Sequence, residues 1–393
     1  MSPTERARSL TGLPDMDLPT VRFVQSIRDI ERSAWDICFP GEIEGYDYHL
    51  AIETAGLAGF ELGWYVAEKA DALVCAVPVF FTGYDLATTA QGLTQRAIRF
   101  VQAYFPGCLT VKLSCLGSPE TECCPFGFHP SLHARDRDHA LECVLAYWSQ
   151  HGSSRGIGLF GIKDISDRDR FQLAGQIESH GFRSLTSLPT ARIAIDFPSV
   201  DGYLARLSRA TRKDLRRKLK CRSEVRVEVR HDPGVYLEQI MEMYRETRNR
   251  SDWAFEDIPP AYFTEVLARM PEKAVLVLYH HDDRLTAANL LLKDGAQLLD
   301  KFFVMRGTEG RPLNLYFLSW IVNLELCLQL GLKHYQSGQA AYETKLRLGS
   351  SLTRNWIYFR HRNAVLNGMF RAVSPLLAIA APSDLGPQEA AQS

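Results

Sequence analysis

The chain has 393 residues, of which 46% are hydrophobic and 23% charged, and its formal net charge is −1. That length and composition suit a soluble globular protein of about two domains, at roughly 150 residues each. The near-zero charge excludes a global field drawing the chain to nucleic acid or an anionic membrane, so a polyanion would have to meet a local patch.

In chain order, residues 1–19, with prolines at 3, 14 and 19, read as a loose arm. A short strand "TVRFV" follows, then a helix from Ile27 to Cys38 and another in "GYDYHLAIETAGL". "GWYVAEKADALVCAVPVFFTGY" predicts a hairpin turning at Lys69 to Asp71. "TVKLSCLGSPETECCPFGFHP" is a strand entering a loop. "RDHALECVLAYWSQHG" is a helix capped by Gly152, and "RDRFQLAGQIESHGF" one ended by Gly181, with strands in "SRGIGLFGIKDI" and "TARIAIDF". "VDGYLARLSRATRKDLRRKLKC" reads as one helix and "EVRVEVRH" as a strand by its period of two. Helices are expected in "PGVYLEQIMEMYRETRNRS" and "PPAYFTEVLARM". Three strands follow, with turns at His281 to Arg284 and at Asp294-Gly295. A long helix runs from Pro312 to Gly331, then strands in "LKHYQSG" and "RNWIYFRH", then a closing helix in "NAVLNGMFRAVSPLLAIA".

These elements predict an α/β (α+β) fold of two tandem units, each a mixed, mostly antiparallel sheet flanked by helices. The expected divisions are a flexible arm over 1–19, a first unit over 20–199, a second over 200–381 and a disordered tail over 382–393. Nine cysteines (38, 75, 108, 115, 123, 124, 143, 221 and 327) mostly sit in apolar runs, as buried free thiols do in a reducing compartment. No CxxC pair has zinc spacing, and the vicinal Cys123-Cys124 reads as packing. "MSPTERARSLTG" lacks an apolar core of signal-peptide length, and no run approaches the roughly 20 apolar residues of a membrane span. A cytoplasmic location is expected.

Several clusters carry candidate chemistry. In "SGQAAYETKLRLGSS" a polar loop follows a strand end, where ligands of open sheets bind. Lys345 is a candidate for holding a phosphate or a developing oxyanion, Tyr342 for protonating a leaving group, and Glu343 for orienting Lys345 or acting as base. Asp300 and Lys301 interrupt the apolar run "LLDKFFV", as charges facing a cleft do; Asp300 is a candidate base and Lys301 an acceptor contact. Glu122, with Glu120 beside it, and His129 are candidate acceptor contacts from the first half. Between Arg206 and Arg230, eight arginines and three lysines face three acids, a local balance of +8. Arg212, Lys213, Arg216 and Arg217 of this run are candidate contacts for a donor phosphate or for tRNA. No aromatic residues interleave them, which argues against reading of bases. His280-His281-Asp282-Asp283 resembles a metal cluster but falls at a turn, and no metal site is expected.

The order of helix, strand, two helices, three strands, helix and strand resembles the GNAT acyltransferase fold in both halves. "YLARLSRATRKDLRRKLK", "AYFTEVLARMPEKAVLVLYHHDDRLTAANLLL" and "QAAYETKLRLGSSLTRNWIYFRH" resemble Fem-type acyltransferases, and "HLAIETAGLAGFELGWYVAE" the FemAB-like branch, often labelled as peptidoglycan biosynthesis. The resemblance covers roughly residues 45 to 372. It implies transfer of an acyl group from a thioester, acyl-CoA or carrier-bound, to an amine by direct attack, with no tightly bound cofactor. The alternatives are amide formation from an aminoacyl-tRNA and a binding module without catalysis. The acceptor would be a small molecule or a cell-envelope precursor. By likeness to the GNAT pyrophosphate loop, Arg306, Gly307, Gly310, Arg311 and Asn314 are donor contacts at the start of the long helix. Family members usually carry His-Phe-Glu where this chain has Asn314-Leu315-Tyr316. They carry a Gly-Glu-His-Lys-like loop where it has "AYETK"; Glu343 and Lys345 keep their spacing and the histidine is missing.

Overall fold

The structure is a computed structural model that describes residues 18–85, 110–249 and 257–363, with 365, 367 and 368. Cys108, most of the N-terminal arm, most of the closing helix and the tail lie outside the described residues.

The first unit begins with β1 (Thr20–Val24), α1 (Arg32–Cys38) and α2 (Tyr46–Ala55). The hairpin of β2 (Phe60–Lys69) and β3 (Ala72–Asp85) turns on Ala70 and Asp71, at φ 49° and 61°. Two successive residues of positive φ match the right-handed twist of paired strands. β4 (Thr110–Leu116) leads through a loop to β5 (Gly127–Phe128) and α3 (Ala134–Ser154). α3 runs past Gly152 rather than ending there. A Cβ at Gly152 would lie 2.5 Å from the Phe160 ring, so this glycine admits a neighbouring side chain and is not the helix cap. β6 (Leu159–Ser166), α4 (Asp167–Ser179), β7 (Arg183–Thr186) and β8 (Thr190–Ala194) follow, with Gly181 at φ 82° just beyond α4.

The helix expected over 200–221 is broken into α5 (Val200–Arg206) and α6 (Arg209–Lys218). Ser208 intervenes and its hydroxyl accepts from the Thr211 amide at 3.1 Å, an N-cap that starts a new helix. Next come β9 (Val225–Arg230), α7 (Leu237–Asn249), α8 (Pro260–Arg269), β10 (Ala274–His281), β11 (Arg284–Lys293) and β12 (Gln297–Met305). Asp282 and Asp283, at φ 48° and 58°, make the β10–β11 turn, and no group of three metal-type ligands exists among the described residues. The chain closes with α9 (Gly307–Gly310), α10 (Leu315–Leu330), β13 (His334–Gln336), α11 (Tyr342–Arg347), β14 (Ser351–Thr353) and β15 (Asn355–His361). The polar stretch expected as a loop is thus partly helical, entered through Ala341 at φ 55°.

Two sheets result, ordered β1-β2-β3-β4-β6-β15-β7, with β5 on β3, and β14-β8-β13-β12-β11-β10-β9. Among the described residues only β4–β6 and β12–β13 pair in parallel. Pairing crosses the boundary expected near Ser199 to Gly202: β8 lies between β13 and β14, while β15 lies between β6 and β7. The units also share a core. Tyr48, Ala51 and Ile52 of α2 are buried with Ile240, Phe263 and Leu290 of the second unit. α10 is buried on every side from Leu318 to Leu324, which is why that stretch is almost wholly apolar, and it emerges to solvent only at its C-terminal end. The eight described cysteines are free and mostly buried, and no described helix is long and apolar enough to cross a membrane.

Candidate active site

A cavity of about 460 Å³ opens where the two units meet. Its walls are the β4–β5 loop at Pro119 to Glu122, residues 300–303 of β12, the first turns of α10 and the segment from Ser337 to Ala341. A bulge makes β12 a two-sided contributor. Leu290 pairs with Phe302 and Leu291 with Asp300, leaving Lys301 as the extra residue. In a regular strand adjacent side chains point to opposite faces; across the bulge Asp300 and Lys301 both line the cavity.

Asp300 is held through one oxygen. Its Oδ2 accepts from Tyr335 OH at 2.8 Å, Asn323 Nδ2 at 3.1 Å and Asn289 Nδ2 at 3.4 Å. Oδ1 makes no hydrogen bond among the described residues and is open to the cavity. Burial pushes this carboxyl above its ordinary range, against the opposing pull of those donors and of Lys345.

Lys345 comes from α11, with 4% of its surface exposed. Its Nζ donates to the carbonyls of Ser337 and, at 3.1 Å, Gly338. Two of its N–H positions are thereby taken, and the third remains for the cavity it lines. Burial lowers its pKa to about 8, against Asp300 and Glu122, which favour the charge.

Glu122 arrives from the first unit. Gln336 Nε2 donates to its Oε2, while Oε1 makes no hydrogen bond among the described residues. Burial raises its pKa to about 7; Glu44 adds to the rise, while Lys301, Lys345 and Gln336 work against it. Gly338 separates this carboxylate from β12. Its φ is 79°, and a Cβ there would lie 3.3 Å from Glu122 Oε1, so conformation and space both call for glycine. Lys301 is bound to Glu44 Oε1 at 2.6 Å and to the Glu120 carbonyl at 2.6 Å. Burial disfavours its charge, but Glu44, Tyr262 and Glu122 outweigh that and hold its ammonium above the usual range.

Asp300, Lys301, Lys345 and Glu122 thus meet in one cavity, and other sequence candidates lie away from it. The Tyr342 hydroxyl donates to the Pro189 carbonyl at 2.9 Å, outside the cavity lining. Glu343 is exposed and, two positions before Lys345 on α11, points to the other side of the helix. It neither orients Lys345 nor faces the cavity. His129 bonds Ser131 Oγ at 2.7 Å, outside the cavity lining.

The glycine-rich stretch after β12 also departs from a phosphate cradle. Gly307 N–H donates to Glu246 Oε1 at 3.0 Å, so a carboxylate already occupies that amide. Arg306 reaches Glu242 at 3.1 Å, and Gly310 fits beneath Met305. Arg311 is exposed, Asn314 Nδ2 bonds the Pro312 carbonyl at 3.1 Å, and none of these five lines the cavity. Arg212, Lys213, Arg216 and Arg217 sit on α6, also away from it. Arg217 pairs with Asp214 at 2.7 Å and Arg216 with Asp201 at 4.0 Å, whereas Arg212 and Lys213 have no carboxylate partner among the described residues. Sequence reasoning missed Glu44, Gln336 and the anchors of Asp300. Asn323 was the available signal, an amide in the otherwise apolar "LYFLSWIVNLELCLQL".

Solved structures define the class of this fold. A tandem GNAT protein from the clavulanic acid biosynthesis pathway aligns over 88% of this chain and 99% of its own, at 13% identity and a TM-score of 0.53. FemX aligns over 90% and 100%, at 12% identity and 0.57. The chain is a tandem of two GNAT-like units. The FemAB-like family model, described as peptidoglycan biosynthesis/recognition, matches residues 172–375. That is just over half of the chain, which belongs to this family. Two curated Mycobacterium tuberculosis proteins named "Putative 8-amino-7-oxononanoate synthase 2" are 23% identical over 326 residues, 81% of this chain. The match spans 42% of those longer relatives.

Proposed function

We propose that the cavity between the units is where an amine attacks an activated acyl group, and that the chain is an N-acyltransferase using a thioester donor. The observation that carries this is Lys345: an ammonium held by two carbonyls, one N–H directed to the cavity, with Glu122 and Asp300 nearby. The free amine attacks the carbonyl carbon and forms the C–N bond. Lys345 donates to the oxygen as negative charge develops on it. Glu122 takes the proton that the amine nitrogen sheds, for which a pKa of about 7 is well matched. The C–S bond then breaks and the thiolate leaves, to be protonated by solvent. Asp300, with Oδ1 open, attracts the incoming ammonium form of the acceptor, which loses one proton to solvent before it attacks as the free amine.

The cavity volume of about 460 Å³ is suited to a small molecule or the reactive arm of a larger one. The family description points to a peptidoglycan precursor as acceptor; the relatives are named as synthases of a small amino ketone carrying a carboxylate, which is their product and enters the test as a trial amine only through its amino group. Both classes belong in the first test, with acetyl-CoA and a longer acyl-CoA as donors. Thiol release and an acylated product should depend on Lys345 and Glu122. A second donor reading, an aminoacyl-tRNA ester, is favoured by the family match and by the unpaired Arg212 and Lys213. Product from aminoacyl-tRNA with none from any thioester would replace the first reading by the second. Product from neither would leave a binding module.

A further inference from the structure

One buried ion pair at the cavity has no part in that chemistry. Lys301 of the second unit and Glu44 of the first have side chains only 5% and 8% exposed. Together they grip the loop that carries Glu122 at two points. Lys301 Nζ donates to the Glu120 carbonyl, which also accepts from Tyr48 OH at 2.9 Å. Glu44 uses Oε1 for Lys301 and Oε2 for the backbone N–H of Glu122, at 3.2 Å. The pair therefore fixes the backbone on both sides of Thr121. Burying two charges is a poor way to gain stability, because desolvation offsets most of their attraction. What this geometry does supply is orientation.

We propose that Glu44 and Lys301 are positioning residues, a clasp across the two units that holds the Glu122 carboxylate where it takes the proton of the acceptor amine. The clasp rests on the reading of Glu122 as the base. Lys301 carries the bulge of β12, so the same irregularity that opens Asp300 to the cavity aims the clasp at the loop. Around Glu122 stand Lys301, Glu44, Lys345 and Gln336, with Cys123, Tyr342 and Tyr48 also in electrostatic reach. Burial holds the last three in their neutral forms at neutral pH.

The test is the double variant Glu44→Leu/Lys301→Met, which removes both charges together and leaves neither buried alone. The readouts are the pH profile of acyl transfer and the titration of Glu122, followed by 13C NMR of glutamate δ-carbons and assigned with Glu122→Gln. The expected result is a folded protein with kcat lowered at least about tenfold and the donor KM within about twofold. The Glu122 midpoint should rise, because Lys301, which favours its ionised form, acts on it more strongly than Glu44 does. Wild-type kcat with an unmoved midpoint would make the pair purely structural and overturn the proposal. Should the double variant not fold, Lys301→Arg takes its place. It keeps the charge and the Glu44 contact but disturbs the Glu120 tie, so it should show an intermediate kcat with the Glu122 midpoint little moved; wild-type kcat would again overturn the clasp. A wild-type chain that acylates no amine would refute the reading of Glu122 as base, and the NMR midpoints would then report separately whether Glu44 and Lys301 act on that carboxylate.

Discussion

At the scale of single residues, the cavity joins two groups of opposite demand. In the proposed reaction Glu122 has to be ionised to accept a proton, and Lys345 has to be charged to meet the oxyanion. With pKa values of about 7 and about 8, kcat/KM should follow a narrow bell between them, measured with an acceptor that does not itself titrate in that range. Lys345→Met should lower kcat roughly 100-fold, about 3 kcal/mol, the cost of one lost oxyanion donor. Methionine is the right replacement because Lys345 is buried. Either replacement leaves the Ser337 and Gly338 carbonyls without that donor, at about 1–3 kcal/mol for each buried group, and alanine would remove packing as well. The same values bear on stability. The folded pKa of Glu122 lies above its ordinary 4.5, so folding favours the protonated form and stability is lost as pH rises from there through about 7. Lys345 runs the other way: its charge costs most below about 8, and the cost fades as pH climbs toward its ordinary 10.5. Glu122→Gln should match the wild type near pH 5 and exceed it near pH 7.5 by about 1–3 kcal/mol, read by denaturant titration at both pH values. Asp300 and Lys301 were legible because a charge amid apolar residues needs a reason, whereas Glu122, in the polar stretch "SPETECC", was a candidate that nothing local could decide. The placement of Tyr342 and Glu343 was not, because the left-handed turn at Ala341 starts a helix in a stretch that reads as loop. Glu44, in "PGEIEGYD", has no local signal at all, since its partner is 257 residues away.

At the scale of elements, short irregularities do the aiming. Gly338→Ala should lower stability by about 1–2 kcal/mol, the usual order for forcing a side chain into positive φ. It should also lower kcat, because the added methyl presses on Glu122. Melting and turnover of this variant should therefore fall together, and turnover unchanged in a destabilised variant would detach Gly338 from the site. α6 presents a separate question. If a tRNA is the donor, reversing Arg212 and Lys213 to glutamate should weaken its binding, and by less as salt rises, because screening already weakens the contact. Turnover of a short thioester should not change in that variant. Hairpins and helices were readable from period and turn residues. The break at Ser208 and the role of Gly152 were not, because each depends on what a residue meets in three dimensions.

At the scale of the whole molecule, the two sheets are interleaved. β8 is needed between β13 and β14, and β15 between β6 and β7. Thermal unfolding followed by far-UV and near-UV circular dichroism should therefore give coincident curves, as a single cooperative transition requires. Two separated midpoints would show that each sheet holds by itself. The tandem order was legible from the repetition of similar elements. The crossing of strands was not, because pairing between residues this distant leaves no periodic trace in the chain.

That interleaving has a consequence for inheritance. A gene whose product closes each sheet with a strand from the other side cannot be cut at its midpoint and dealt out as two modules. Recombination can add sequence to its flanks, but an insertion between the halves must still let both strands cross. The mycobacterial relatives fit this expectation, carrying the matched stretch within much longer polypeptides. Selection would then act on the pair as one heritable piece, and the cleft, made from both halves, would travel with it intact.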